Sequence, residues 1–382
     1  MESALGSLMR IAVIFGTRPE AIKMAPVVRA LRASPEIDCR VWSTGQHREM
    51  LAQVLDIFDL TVDDDLALMT PGQSLNGLFA GAVAGVDAMI ERTSPDMVLV
   101  HGDTSTAAAA ATAAFHRKVK VGHVEAGLRS GRMDQPWPEE FNRRLVDLVS
   151  SQLFAPTDAA RDHLLAEGVD SKRVMVTGNT VVDALLTVVD RIRTQRDVEE
   201  RLRARFDFIA GKPMVLVTGH RRESFGDGFK NICLALKMLS QANDLQIIYP
   251  VHLNPNVQGP VHELLADCPG VHLIPPVDYE AFVYLMMRSS VILTDSGGVQ
   301  EEAPSLSKPV LVMRNVTERP EAVAAGVSEL VGTDPDRIFG EVSRLLDNSQ
   351  AYEEMARAHN PFGDGKSAGR IADLLSECLP NG

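Results

Sequence analysis

The sequence predicts an α/β protein built from two doubly wound, Rossmann-like domains that face each other across a cleft. Short runs of β-branched residues alternate with longer segments of helical periodicity, which is the pattern of βαβ units around a parallel sheet. The alternation starts again after a polar, charge-rich connection at about residues 190–212. The length of 382 residues also exceeds what one hydrophobic core usually serves.

The predicted strands are the short apolar runs, and a segment with helical periodicity comes after most of them. The predicted strands of the first series are residues 10–15, 39–43, 97–101, 120–124, 153–155 and 174–176, with helices at 20–33 and 106–116. The predicted strands of the second series are residues 214–218, 246–251, 272–274, 291–294 and 310–312. We place the two domains at residues 9–180 and 181–365. In such sheets ligands bind beyond the carboxyl ends of the strands, so the residues after each strand are the candidate site.

Composition and charge exclude several classes of function. The formal net charge of −13 argues against a nucleic-acid or anionic-membrane partner, because such proteins need a basic surface. No run approaches the ~20 apolar residues of a membrane span, and the first residues lack a signal-peptide pattern, so we expect a cytoplasmic protein. The four cysteines form no CxxC pair, and no G-x-G-x-x-G is present. We therefore expect no metal and no nicotinamide cofactor.

The turn after the first strand, FGTRPE, is suited to an anionic ligand. Gly16 permits a tight turn and Pro19 suits the first turn of a helix. Arg18 and Lys23 then lie near a helix N-terminus, where cations and peptide N–H groups together bind anions. The alternative is an ordinary βα turn with two solvated cations.

Three carboxylates follow strands or open helices in the first half. Asp103 ends the segment HGD, Glu125 follows the next strand in GHVEAGLRS, and Glu139 lies in PWPEE where Pro138 begins a helix. Carboxylates at one sheet edge suit general acid–base chemistry. The alternatives are that Asp103 is only a helix N-cap and that Glu139 only complements a helix dipole.

The second half carries the candidate nucleotide site. His220 follows a strand in TGHRRE, and its imidazole titrates near neutrality. Ser296, Gly297 and Gly298 open a helix after a buried strand and can approach a diphosphate closely, with Glu302 one turn further on for ribose hydroxyls. Arg319 precedes another Pro-started helix, and Phe282 can cover a flat base.

The order and spacing of these segments closely resemble the non-hydrolysing UDP-N-acetylglucosamine 2-epimerases, a family similar in fold to GT-B glycosyltransferases. The matching stretches, from about residue 9 to residue 366, include FGTRPEAIKMAP, QHREML, HGDT, GHVEAGLRS, PWPEE, TGNTVVDAL, TGHRRESFG, PVHLNPNV, TDSGGVQEEAPSLSKPVLVMR and TERPEAV. The resemblance implies that a C-terminal helix, residues 366–382, returns to the first domain. It also implies a homodimer that binds UDP-N-acetylglucosamine or UDP without a cofactor.

The resemblance also assigns roles to residues. Ser296, Gly297 and Gly298 would bind the diphosphate, Glu302 the ribose, and Phe282 and the backbone near Val277 the uracil. Arg18, Lys23, His220 and Arg319 would contact the phosphates and neighbouring groups, with His220 counted among the catalytic residues beside Asp103, Glu125 and Glu139 on the sugar side. Substrate activation at a second site would involve Gln46 and His252.

The chemistry implied by the family is an elimination followed by a re-addition. No carbonyl acidifies the C2 proton, so loss of UDP across C1–C2 gives 2-acetamidoglucal, and re-addition with protonation of the opposite face inverts C2. This route needs cations for the leaving diphosphate and carboxylates beside the sugar. Which carboxylate is the acid and which the base stays open at this point. The competing hypotheses are a GT-B glycosyltransferase, a hydrolysing epimerase and a sugar-nucleotide sensor.

Overall fold

The chain forms two compact α/β units in the computed structural model, which describes residues 8–45, 48–70, 72–209, 211–242 and 244–377. One unit contains the chain up to Ala184 together with the chain from Phe362 onward, and the other is Leu185–Pro361. In the described part of the chain, no helix is both long and apolar enough to cross a membrane.

Every strand pairing in both units is parallel. The strands are β1 (Met9–Phe15), β2 (Ile37–Ser43), β3 (Asp64–Asp65), β4 (Met97–His101), β5 (Lys120–Val124), β6 (Gln152–Ala155), β7 (Val174–Val176), β8 (Met214–Thr218), β9 (Gln246–Pro250), β10 (Val271–Ile274), β11 (Val291–Thr294), β12 (Val310–Val312) and β13 (Ser328–Leu330). The sheet of the first unit has the order β3-β2-β1-β4-β5-β6-β7, and that of the second has the order β10-β9-β8-β11-β12-β13. Both are doubly wound sheets with a Rossmann-type strand order, so the predicted fold class is confirmed.

Helices cover the sheets. They are α1 (Arg18–Ala33), α2 (Arg48–Phe58), α3 (Leu75–Thr93), α4 (Ser105–His116), α5 (Glu139–Val149), α6 (Asp158–Ala166), α7 (Thr180–Thr194), α8 (Arg196–Arg205), α9 (Asp227–Ala242), α10 (Pro255–Leu265), α11 (Tyr279–Arg288), α12 (Gly297–Glu302), α13 (Pro320–Ala324), α14 (Pro335–Asp347), α15 (Ser349–Ala356) and α16 (Ser367–Glu377). Helix α16 packs against α1, and the Ser34 and Ser376 hydroxyls lie 3.2 Å apart.

Each unit has its own apolar core. In the first unit the alanine-rich face of α4 lies on β1 and β4, where Ile14 and Val98 are buried. Small alanines allow this helix to approach the sheet closely. In the second unit Phe229 of α9 is fully buried against β8 and β9, which contribute Val217 and Tyr249. Rigid cores of this kind fix where each strand ends and hence where the following loop begins.

The order of the strands reverses between β1 and β4 in one sheet and between β8 and β11 in the other. Ligands of doubly wound proteins bind at such a reversal, beyond the carboxyl ends of the two strands. The loops after these four strands carry Arg18, Asp103, His220 and Ser296. The topology therefore brings the predicted residues to the binding edge of each unit.

Candidate active site

Glu125 is a carboxylate of the first unit that is held by several polar partners. It follows β5 with φ +68°, a left-handed conformation that non-glycine residues adopt at some energetic cost. Its carboxylate contacts the ammonium of Lys23, accepts a hydrogen bond from Asn179 Nδ2 at 3.3 Å and lies 3.6 Å from Nε2 of His101. Burial raises the pKa of Glu125, but Lys23 and His101 outweigh burial and hold that pKa well below its ordinary range. Glu125 is therefore an ionised carboxylate at neutral pH.

Asp103 follows β4 and is held by helix α5. Its carboxylate is paired with Arg143, and its backbone carbonyl accepts a hydrogen bond from Asn142 Nδ2 at 2.9 Å. The N-cap of α4 is the next residue, Thr104, whose hydroxyl accepts from the N–H of Ala107 at 3.0 Å. The capping interpretation of Asp103 is therefore wrong, and its carboxylate, 26% exposed, can interact with a ligand.

The two glutamates at the start of α5 have different roles. Glu140 is fully buried and accepts hydrogen bonds from the N–H of Ser130, from Arg143 and from Arg144. Glu139 is half-buried and has no hydrogen-bond or ion-pair partner within the described ranges. The preceding Gln135–Pro136 and Trp137–Pro138 peptide bonds are both cis. Glu140 thus serves the local structure, and Glu139 is free for a ligand.

The turn after β1 is shaped by Glu20. The Glu20 carboxylate accepts from the N–H groups of Gly16 at 3.1 Å and Thr17 at 2.8 Å and from the Thr104 hydroxyl at 2.6 Å. A Cβ on Gly16 would lie 2.2 Å from Thr44 Oγ1, so only glycine fits there. Arg18 begins α1 on this turn, is half-buried and makes no polar side-chain contact with any residue described. It is available to an anion.

In the second unit a buried carboxylate positions His220. Asp295 is 0% exposed and accepts from the N–H groups of His220 and Arg221, both at 2.7 Å. His220 Nδ1 lies 3.4 Å from the same carboxylate, and its ring stacks on His252 with centroids 5.3 Å apart. Burial lowers the pKa of His220, Asp295 opposes this, and His252 and Arg221 lower it further.

Two arginine side chains lie close to the glycine-rich turn after β11. Ser296 is the N-cap of α12, and a Cβ built on Gly297 would lie 3.9 Å from the Arg319 guanidinium and 4.0 Å from Arg221 Nη2. Arg319 is itself held by the buried Glu301. Two guanidinium groups thus converge on backbone that carries no side chain, and this combination suits a phosphate.

The remaining predicted residues lie around α11 and α12. Glu302 is buried and accepts a hydrogen bond from the Tyr279 hydroxyl at 2.6 Å. Phe282 and Val277 are half-buried at the start of α11 and just before it, and Gly298 is half-buried beside Gly297. Gln46 lies outside the described residues. No group of three or more metal-ligating side chains occurs in the part of the chain described.

The structure brings some predicted residues together and adds partners that sequence reasoning did not single out. Lys23 and Glu125 are in contact, and a Cβ on Gly102, the residue before Asp103, would lie 3.6 Å from Glu125 Oε1. Glu139 makes no polar contact with either carboxylate. The added partners are His101, Arg143, Asn179 and Asp295. His101, Asn179 and Asp295 lie inside segments that match the family, and Arg143 lies three residues after the PWPEE segment, so proximity to a matching segment is the one signal that could have indicated them.

Comparison with known proteins identifies the family. A family model described as UDP-N-acetylglucosamine 2-epimerase matches residues 29–376. The UDP-N-acetylglucosamine 2-epimerase of Salmonella typhimurium is 53% identical over 369 residues, which cover 96% of this chain and 98% of the relative. The chain belongs to the UDP-N-acetylglucosamine 2-epimerase family.

Solved structures of other family members have the same fold. The Neisseria meningitidis epimerase bound to UDP-GlcNAc matches with a TM-score of 0.90 at 46% identity, covering 97% of this chain and 100% of that one. The Methanocaldococcus jannaschii epimerase, in complex with UDP-GlcNAc and UDP, matches with a TM-score of 0.80 at 33% identity, with 97% and 100% covered. Membership makes the chain an isomerase by class, and the predicted family resemblance is confirmed.

Proposed function

We propose that this protein interconverts UDP-N-acetylglucosamine and UDP-N-acetylmannosamine by inverting C2, and that it does so without net hydrolysis. The observation that carries the proposal is the pair of carboxyl groups, Glu125 beside Lys23 and Asp103 beside Arg143, at the binding edge of the first sheet. Family membership and relatives that bind UDP-GlcNAc and UDP support the substrate. A protein that only bound the nucleotide sugar would not need proton acceptors at this edge.

The second unit binds UDP in this proposal. Ser296, Gly297 and Gly298 contact the diphosphate together with the Arg319 guanidinium, which faces Gly297. His220, held by Asp295, donates to a phosphate oxygen. Glu302 accepts from a ribose hydroxyl while Tyr279 keeps its carboxylate in place. The uracil contacts Phe282 and the backbone near Val277.

The first unit carries out the proton transfers. As the C1–O bond breaks, its electron pair leaves with UDP, and a carboxylate takes the C2 proton while the C2–H electrons form the C1–C2 double bond. The intermediate is 2-acetamidoglucal. In the return step a β-phosphate oxygen of UDP re-forms the bond to C1, the electrons of the double bond move to C2, and the second carboxyl group, which has taken up a proton from solvent, adds that proton to the opposite face of C2. We assign the two transfers to Asp103 and Glu125, with Glu139 beside the ring; Arg18 and Lys23 contribute positive charge.

The testing experiment is proton NMR of the purified protein with UDP-N-acetylglucosamine in D₂O, with no added cofactor. We expect UDP-N-acetylmannosamine with deuterium at C2, because the proton removed from C2 exchanges with solvent on the carboxylate. Formation of free N-acetylmannosamine and UDP would contradict the non-hydrolysing route. An unchanged substrate would contradict the proposed function, and transfer to an added acceptor would indicate a glycosyltransferase.

The homodimer and the activating site remain proposals that rest on the family resemblance. For the dimer, light scattering coupled to size-exclusion chromatography should give a mass twice that of one chain, which is 41.5 kDa. For the activating site, His252 stacks on His220, so a ligand that displaces the His252 ring would also alter the surroundings of a catalytic residue. A hyperbolic dependence of rate on substrate concentration would contradict substrate activation.

A further inference from the structure

A histidine that the proposed mechanism does not use lies beneath the catalytic edge of the first sheet. His123 of β5 is 0% exposed. Its Nδ1 lies 2.6 Å from Oδ1 of Asp147, and its Nε2 lies 2.8 Å from the carbonyl oxygen of Gly102. Gly102 directly precedes Asp103, so the ring is one residue away from a proposed catalytic carboxylate.

Both ring nitrogens of His123 face acceptors. The Gly102 carbonyl can only accept, so Nε2 carries a hydrogen. The Asp147 carboxylate also accepts from the Arg129 guanidinium at 2.7 Å and from the N–H of Gly127 at 3.3 Å. Because arginine stays protonated in proteins, a carboxylate paired with it is held in its ionised form. Nδ1 then carries a hydrogen as well.

We propose that His123 is a buried imidazolium at neutral pH and that it positions Asp103 for proton transfer. The effect on catalysis rests on the proposed function, whereas the charge state rests on the hydrogen-bond geometry alone. His123 does not touch the sugar or the nucleotide in this proposal. It is a positioning residue, and Asp103 is the catalytic residue that it serves.

Balanced charges allow this imidazolium to be buried. Arg129 also pairs with Glu167 at 2.6 Å, so positive and negative groups alternate from His123 through Asp147 and Arg129 to Glu167. The neighbours of His123 in the flanking strands are apolar, Val100 in β4 and Leu153 in β6. A buried charge in such surroundings is tolerated only when it is paired and hydrogen-bonded. Asp147 supplies that pairing.

The ring acts on Asp103 through the backbone. Gly102 has φ +63°, its N–H donates to the Val124 carbonyl at 2.9 Å, and its carbonyl accepts from His123. The Asp103 carbonyl accepts from Asn142. The chain is thus fixed on both sides of the Asp103 Cα, and loss of the His123 bond frees the Gly102–Asp103 peptide to rotate.

The charge state is tested by nitrogen NMR of the intact protein labelled with ¹⁵N-histidine, the His123 signals being assigned by their absence in His123→Gln. We expect both ring nitrogens of His123 to be protonated at neutral pH. We expect Asp147→Asn, which removes the paired charge, to convert the ring to a neutral tautomer. An unprotonated ring nitrogen in the wild-type protein would overturn the proposal, whether or not the protein is an epimerase.

The positioning role is tested by kinetics of His123→Gln. We expect kcat to fall about 100-fold, the loss typical of a displaced catalytic group, while KM and UDP affinity stay unchanged and unfolding stays cooperative. The matched control is His163→Gln, because His163 Nδ1 also bonds a backbone carbonyl, that of Gly127 at 3.1 Å, but not one next to Asp103. Equal losses in both variants, or no loss in His123→Gln, would overturn the positioning role. A wild-type protein without epimerase activity would contradict the proposed function and leave the NMR result standing.

Discussion

At the scale of single residues, the site depends on pairs in which one charge fixes another. Lys23 lowers the pKa of the largely buried Glu125, Arg143 pairs with Asp103, and the buried Asp295 holds the backbone of His220. Each pair joins residues from two different elements. A charged neighbour thus positions each of these three groups, and at Glu125 it also lowers the pKa.

Asp103→Asn tests the proposed proton transfer. The amide can neither accept nor donate the proton in place of the carboxyl group, so we expect a loss of kcat by about 100-fold or more, within the range that general acid–base catalysis contributes, with UDP binding unchanged in calorimetry. Asp134→Asn is the control, because Asp134 is an exposed aspartate paired with Arg132 in the same unit. Turnover near the wild-type rate would rule out Asp103 as a proton-transfer group.

Lys23→Met tests the electrostatic control of Glu125. Without the ammonium, His101 alone opposes the effect of burial and the pKa of Glu125 rises, so less carboxylate is present at a given pH. We expect the acid limb of the kcat/KM profile to move to higher pH. The exposed Lys172, also in the first unit, provides the control Lys172→Met. An acid limb at the wild-type pH would contradict the role given to Lys23.

The same pair links stability to pH. Because the pKa of Glu125 is lowered on folding, its ionisation stabilises the fold above the unfolded pKa of about 4.3. That stabilisation is lost as the pH falls through the lower folded value. In Lys23→Met we expect this loss at higher pH, measured as the unfolding midpoint in urea across an acid pH series.

At the scale of elements, the C-terminal helix is tied to α7 by one buried aspartate. Asp183 accepts from the N–H of Ala368 in the first turn of α16 at 2.8 Å and is 6% exposed. Burial raises the pKa of this carboxyl. The next residues along the chain cross into the second unit, so this contact stands at the point where the chain leaves the first unit.

Asp183→Ala tests this tie. Loss of the capping carboxylate leaves N–H groups at the start of α16 unsatisfied, and we expect a loss of about 1–2 kcal/mol in the free energy of unfolding. Hydrogen exchange should show faster exchange in Ser367–Glu377 first. The control is Asp190→Ala, an exposed position on the same helix. Equal destabilisation by both variants would show that Asp183 has no special role.

Much of this was predictable from the sequence. Strands β4, β5, β7, β8, β11 and β12 have the predicted bounds. In β4, β8, β11 and β12 a buried apolar run ends at polar residues, which leaves little ambiguity. The edge strands β3 and β13 are not predicted, because their sequences, DD and SEL, are short and mostly polar and give no apolar run. The alternation of strands and helices also predicts which candidate residues come shortly after a strand.

The partners of the candidate residues were not predictable. Arg143 lies 40 positions from Asp103, and Asn179 lies 54 positions from Glu125. Such contacts depend on strand order and on the angle at which each helix packs, neither of which leaves a local signal. For the same reason spacing alone could not separate Glu139 from Glu140, and Glu139 was chosen on the family resemblance; in the structure Glu140 is fully buried and Glu139 is half-buried.

At the scale of the whole molecule, we propose that the second unit binds UDP and that the first unit carries out the proton transfers. Ligand binding slows exchange most in the part that it contacts. We expect saturating UDP to slow hydrogen exchange around Ser296 and Arg319 and not around Glu125, equally with and without EDTA. Arg319→Met should abolish this protection, and Arg196→Met, an exposed arginine paired with Glu200, should not. Protection confined to the first unit, or lost with EDTA, would contradict the assignment.

The return of the chain to its first unit has a consequence for synthesis on the ribosome. The second unit is one uninterrupted segment, Leu185–Pro361, whereas the first needs residues from Phe362 onward to complete it. Domains generally fold in the order in which they leave the ribosome. The first unit is therefore completed only after the second unit has been synthesised, because α16, which packs against α1, follows the second unit in the chain. The face of α1 that α16 covers stays exposed until then.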